Sequence, residues 1–204
     1  MISVSYATIY LLPEGISQAY TPFGFTERRS SLPNLAFTIG AAISMLSRLI
    51  DYNIARRQLK SNVPLSPESK LVGFYIAAPL LAIATWWWAW TLPPHFSPSS
   101  ISPFASMPAL IFVGYAATEF DYVLSGYITD TYGAFASSAT APLGFVRASL
   151  SGVFPLFGRQ MFVNLDNNIA GTVLAVIATA FVGIAVLFWK FGKRLREKSR
   201  FSQP

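Results

Sequence analysis

Long apolar runs alternate with short polar or proline-rich breaks along this chain. A membrane-spanning helix needs about 20 predominantly apolar residues. Five runs approach that length, at residues 32–50, 71–92, 103–127, 141–163 and 169–191. Ahead of them, residues 1–12 are apolar for only half a span before Pro13 and Glu14 interrupt, which predicts the outer end of a helix whose beginning is absent. The pattern predicts an all-α, polytopic membrane helix bundle of about five and a half spans over residues 1–191, followed by a basic cytoplasmic tail at 192–204.

Composition agrees with a lipid environment. Hydrophobic residues make up 53% of the chain and charged residues 12%, about half the charge of an average soluble domain. That excludes an ordinary water-soluble globule and makes the lipid bilayer the first expected partner. The net charge of +6 is concentrated at the end, where six of the fifteen Lys and Arg fall in the last fifteen residues. A basic tail of this kind does not predict a nucleic-acid-binding face. The first twelve residues lack the basic region and small-residue cleavage site of a secretory signal.

The absence of cysteine removes disulfides, thiolate metal sites and cysteine nucleophiles, and a single histidine, His95, leaves little for zinc or a triad. No HExxH occurs, so neither an enzyme nor a cofactor or metal is expected.

Orientation follows from basic residues, which cytoplasmic loops retain. The link 51–70 holds Arg56, Arg57, Lys60 and Lys70, and the tail holds Lys190, Lys193, Arg194, Arg196, Lys198 and Arg200. Four spans separate the two, so they share one face, predicted to be cytoplasmic. The opposite face receives Arg28, Arg29 and Arg159, and the link 93–102 has no acidic or basic side chain except His95. Residues 85–90, TWWWAW, then fall at the outer end of a span, as an interfacial aromatic belt would.

Three ionisable residues are placed within the predicted bilayer, Glu119, Asp121 and Arg147, each costly there and by default facing the bundle interior or a watery path. Positions two apart on a helix differ by about 200°, so Glu119 and Asp121 cannot both face Arg147. One acid is expected to pair with Arg147 in the apolar core and the other to turn elsewhere. Two readings stand together: a proton or cation carrier, or a structural network fixing helix register. Tyr115, Tyr122, Ser125 and Tyr127 on the same span are suited to a cavity for organic solutes or to interhelical packing. Pro79, Pro108 and Pro155 fall inside spans, and the small residues of RASLSG, 147–152, offer a close helix approach.

Residues 119–162, EFDYVLSGYITDTYGAFASSATAPLGFVRASLSGVFPLFGRQMF, resemble the penultimate helix pair of fungal drug:proton antiporters of the major facilitator superfamily, the group that includes polyamine and multidrug exporters. SPESKL, 66–71, is similar to the motif preceding that family's ninth helix, and FGKRLREKS resembles its basic tail. RLIDYNIARRQ, 48–58, resembles a second copy of the superfamily's cytoplasmic loop motif, without its glycine and one residue longer. The resemblance covers the second half of a twelve-helix fold. It implies a substrate path at the interface of two six-helix halves that rock against each other.

On that resemblance the chain is the carboxyl-terminal half of a proton-coupled exporter of small organic solutes such as a drug, polyamine or secondary metabolite, in the plasma membrane, with a missing amino-terminal half as partner. Glu119, Asp121, Tyr122 and Arg147 are its expected pathway or proton-coupling residues. Asp51, Arg56, Arg57 and Asp130 are its expected cytoplasmic gate. The competing reading is an inactive or regulatory membrane remnant.

Overall fold

The computed structural model describes residues 12, 15, 16, 19–24, 31–60, 71–93 and 102–197. Residues 1–11, Pro13, Glu14, Arg28, Arg29, residues 66–70, His95, Lys198 and Arg200 lie outside the described residues, and so do the expectations placed on them. Among the described residues there is no strand. A lipid environment requires this, because backbone polar groups find no water there and must bond within their own segment.

Five long helices follow one another: α1 (Ser31–Lys60), α2 (Val72–Trp90), α3 (Met107–Tyr132), α4 (Ala136–Asn164) and α5 (Asn167–Glu197). Ahead of them Leu12, Gly15, Ile16 and Ala19 are helical, so helical residues occur on both sides of the break expected at Pro13 and Glu14. Leu12, Ile16, Ala19 and Tyr20 are all fully buried, and this spacing is that of a single helix face packed on the bundle.

Three helices are long and apolar enough to cross a membrane, over Leu32–Asn53, Val72–Trp90 and Asn167–Phe191. α3 and α4 are as long but more polar, carrying Glu119, Asp121 and Asp130 in one and Arg147 with several Ser and Thr in the other. α1 extends ten residues past Ile50, into what reads as a loop, so Asp51, Arg56 and Arg57 are helical. At about 1.5 Å per residue, thirty residues reach about 45 Å, more than the roughly 30 Å hydrocarbon layer.

Local chemistry sets the ends. α2 closes where the Thr91 amide bonds the carbonyls of Trp87 and Trp88 at 3.2 and 3.3 Å. A one-turn helix, Pro103–Ala105, leads into α3. Pro108 lies in the first turn of α3 rather than inside it, where a missing N–H costs nothing. Pro79 and Pro155 are inside α2 and α4. Between α3 and α4 the chain reverses at Gly133, whose φ of 47° is ready for glycine and strained for other residues.

The most extensive packing joins α2 to α5 and α1 to α3. α3 also packs on α2, while α4 is held more lightly by α3 and α5. An aromatic column forms the centre: Phe74 of α2, Phe120 of α3 and Phe181 of α5, with ring centroids 5.1 and 5.5 Å apart. Trp88 belongs to this core, fully buried and 6.3 Å from Phe162, so only part of the TWWWAW run is available to an interfacial belt. Trp86 donates to the Thr179 hydroxyl of α5 at 3.0 Å, and Trp87 and Trp90 are exposed.

The close helix approach occurs at glycines other than the one in RASLSG. A Cβ on Gly40 of α1 would collide with the backbone of Ile111, and one on Gly114 of α3 with the backbone of Phe37. This reciprocal pair lets the two helix backbones touch. Gly152, the glycine of RASLSG, faces open space, as does Gly144 before that segment, so the close approach expected at RASLSG does not occur at its glycine within this bundle.

Candidate functional site

The close α1–α3 crossing brings polar side chains of the two helices together in pairs along one seam. Ser47 and Tyr115 share a hydroxyl hydrogen bond of 3.0 Å. Within one helical turn, the Arg48 guanidinium donates from Nη2 to Oε1 of Glu119. Its Nη1 lies 2.9 Å from Oδ2 of Asp51, three residues on along α1. The guanidinium carbon also stands 4.5 Å from the centre of the Tyr122 ring, a cation–π distance. One arginine is thus held by two carboxylates and an aromatic face.

Burial divides the cluster. Glu119 is 2% exposed, Arg48 22% and Asp51 54% by side chain. Gly73, at the start of α2, covers the carboxylate so tightly that a Cβ there would collide with Oε1. The second oxygen of Glu119, Oε2, is buried and has no hydrogen-bond partner among the described residues. Arg48 lies five residues before the end of the apolar window of α1, which at 1.5 Å per residue is about 7 to 8 Å inside it. With both acids ionised the trio carries a net charge of −1, and a single proton makes it neutral.

The other expected pair is present but differently placed. Arg147 Nη1 lies 3.7 Å from Asp121 Oδ2, with side chains 51% and 34% exposed. The two acids of α3 do part company, Asp121 toward α4 and Glu119 toward α1. The expectation that Arg147 sits in the apolar core is corrected: α4 packs lightly, and its arginine is half exposed. Neither acid is left without a cation, because Glu119 finds Arg48.

Arg48 is the residue that sequence reading missed. It lies near the end of the apolar run 32–50, and its spacing of three from Asp51 marks a same-face pair on a helix.

Of the residues expected at a cytoplasmic gate, Asp51 pairs with Arg48 on its own helix, while Arg56 and Arg57 are exposed further along α1. Asp130 is exposed near the end of α3. All four lie toward the end of the bundle where α1 and α3 finish. Tyr122 is exposed, Tyr115 is partly buried against the core, and Ser125 and Tyr127 are half-buried. No group of three or more metal-binding side chains occurs among the described residues.

Comparison with known proteins places this architecture. The chain is 30% identical over 200 residues to the uncharacterized transporter mfs2 of Schizosaccharomyces pombe, a match covering 98% of this chain and 36% of that protein. It is 29% identical over 208 residues to the efflux pump FUBT of Fusarium oxysporum, covering 98% of this chain and 33% of the pump. To the multidrug transporter TPO1_1 of Candida glabrata it is 28% identical over 199 residues, 97% of this chain and 34% of that protein. Its homologues are fungal transporters and efflux pumps of the major facilitator type. The chain spans about a third of the length of these curated relatives. No protein-family model and no solved structure matches it. Like its major facilitator relatives, the chain is a multi-pass membrane protein.

Proposed function

We propose that this chain forms one half of a major facilitator exporter, moving a small organic compound outward across the plasma membrane in exchange for protons. Its polar-bearing helices α1, α3 and α4 form one wall of the path, and an amino-terminal half supplies the other. The observation that carries this reading is the Arg48–Glu119–Asp51 cluster, a buried carboxylate sharing its only described cation with a second acid. The fungal efflux relatives support the direction and the class of solute.

In this mechanism Glu119 takes up the proton, and protonation weakens its hold on Arg48, which then rests on Asp51 and the Tyr122 face. The α1–α3 seam is released at its inner end, allowing the two halves to rock. Asp121 and Arg147, partly exposed on α3 and α4, belong to the face turned toward the solute path. Arg56, Arg57 and Asp130 stand at the cytoplasmic mouth as gate residues, and the basic tail faces the cytoplasm.

The test is reconstitution of the chain in proteoliposomes, alone and together with the amino-terminal half of a relative such as TPO1_1. A fluorescent drug or polyamine should accumulate under a pH gradient only with both halves present, and Glu119→Gln should remove the dependence on the gradient. No transport in either arrangement would favour a membrane remnant. Transport that keeps its pH dependence in Glu119→Gln would remove Glu119 from the mechanism.

A further inference from the structure

The α2–α5 side of the bundle differs from the charged seam. No Asp, Glu, Lys or Arg occurs in residues 72–90 of α2 or 168–189 of α5. Their outward residues, among them Ile76, Ile83, Val176 and Leu187, are exposed and apolar. A surface of this composition is one that meets acyl chains rather than a watery path.

Within this side lies a groove of about 310 Å³ lined by Tyr75, Pro79, Val182, Ala185, Val186 and Trp189. It sits where α2 begins and α5 runs out. Apart from one phenol and one indole N–H its lining is apolar, and those two amphipathic rings stand toward the end of the bundle, where headgroups lie. The charge then changes abruptly. Lys190 is exposed beside Trp189, position 193 follows Trp189 by one helical turn, and residues 190–204 hold six Lys and Arg against one acid, Glu197.

An apolar slot ending in a cationic rim matches one ligand chemistry, a hydrocarbon chain carrying a negative head. We propose that the α2–α5 groove is a binding site for an anionic phospholipid, its acyl chain lying between Pro79 and Val182 and Val186, and its headgroup held at Lys190 beside Trp189. Charge complementarity selects the occupant. A zwitterionic lipid fills the slot equally well but gains nothing from Lys190, and a second copy of this chain would bring one basic tail against another. The site stands independently of any transport activity or orientation of the chain.

The remaining tryptophans, at 86, 87, 88 and 90, all lie at the other end of α2, so Trp189 is a local reporter. The full chain is placed in phosphatidylcholine nanodiscs containing an increasing fraction of either phosphatidylserine or phosphatidylcholine brominated in the acyl chains, since bromine quenches an indole on contact. The Trp189 signal is taken as the difference from Trp189→Phe. Brominated phosphatidylserine should quench it at a roughly fivefold lower fraction than brominated phosphatidylcholine, the preference that one interfacial lysine gives, and Lys190→Gln should bring the two lipids to parity. Equal quenching by the two lipids in the unsubstituted chain would overturn the proposal, as would a serine-lipid preference that survives Lys190→Gln. Because the chain has no cysteine, Val186→Cys gives a further arm: a disulfide-linked dimer through position 186 would assign the groove to a second copy and overturn the lipid site.

Discussion

Gly73 of α2 lies against the carboxylate of Glu119 of α3, leaving no space for a β-carbon between them. The one helix start that touches the buried acid is therefore a glycine. The same Cβ would also stand 3.1 Å from Val123, one turn on along the same face of α3.

Gly73→Ala should consequently destabilise the chain by about 1 to 3 kcal/mol, the usual cost of overpacking. Gly126→Ala, on the same helix as Glu119 but with nothing within 4 Å, should change stability by no more than about 0.5 kcal/mol in the unfavourable direction. Thermal denaturation in detergent, followed by size-exclusion fluorescence, compares them. A Gly73→Ala chain as stable as the Gly126→Ala chain would show that the carboxylate does not occupy this position.

Removing Arg48 should cost far more than removing Arg147. Arg48→Ala leaves a buried carboxylate without its cation, a loss of about 3 to 5 kcal/mol, whereas the Arg147–Asp121 pair is largely exposed and worth about 0 to 1 kcal/mol. The double substitution Arg48→Met with Glu119→Leu should recover most of the loss, because the buried charge is then gone and the acid that loses its arginine, Asp51, is half exposed. Urea or heat unfolding in the same detergent gives the comparison, and equal destabilisation by the two arginine substitutions would refute it.

The α1–α3 crossing depends on Gly40 and Gly114. Leucine at either position should separate the helices and break the Ser47–Tyr115 and Arg48–Glu119 pairs with them. Alanine at Gly144 or Gly152 of α4 should be neutral or slightly stabilising in the isolated chain, since it meets open space and favours the helix. Thiol cross-linking between cysteines placed at Ser47 and Tyr115 reads the crossing directly: it should proceed in Gly152→Ala and fail in Gly40→Leu.

For orientation, a cysteine at position 57 should react with an impermeant maleimide only from the cytoplasmic side, and one at position 91 only from outside. Basic residues motivate this assignment, with Arg56, Arg57 and Lys60 at one end of α1 and none at the end of α2. Labelling of position 57 on intact cells would reverse the topology.

The chain's own sequence determined that it is a bundle of helices, because a solvent without hydrogen-bonding groups leaves a long apolar run no other way to satisfy its backbone. It also carried the likeness to fungal major facilitator transporters, in the stretch 119–162 and the motifs at 48–58 and 66–71. The opposed directions of Glu119 and Asp121 were legible too, since the α-helical period alone turns them apart.

The partners of those acids were decided by tertiary structure. Whether Glu119 meets Arg48 or Arg147 depends on which helices cross closely, and that rests on Gly40 and Gly114, two of the chain's thirteen glycines with no local mark to set them apart. Burial followed the same rule. Arg147 looked interior by its position along an apolar run, yet α4 packs lightly and leaves it half exposed, while Arg48, near the end of its run, is drawn against the most buried acid in the described bundle. A one-dimensional pattern measures depth along a helix, whereas pairing and solvent exposure depend on rotation about the helix axis and on the neighbour that meets each face.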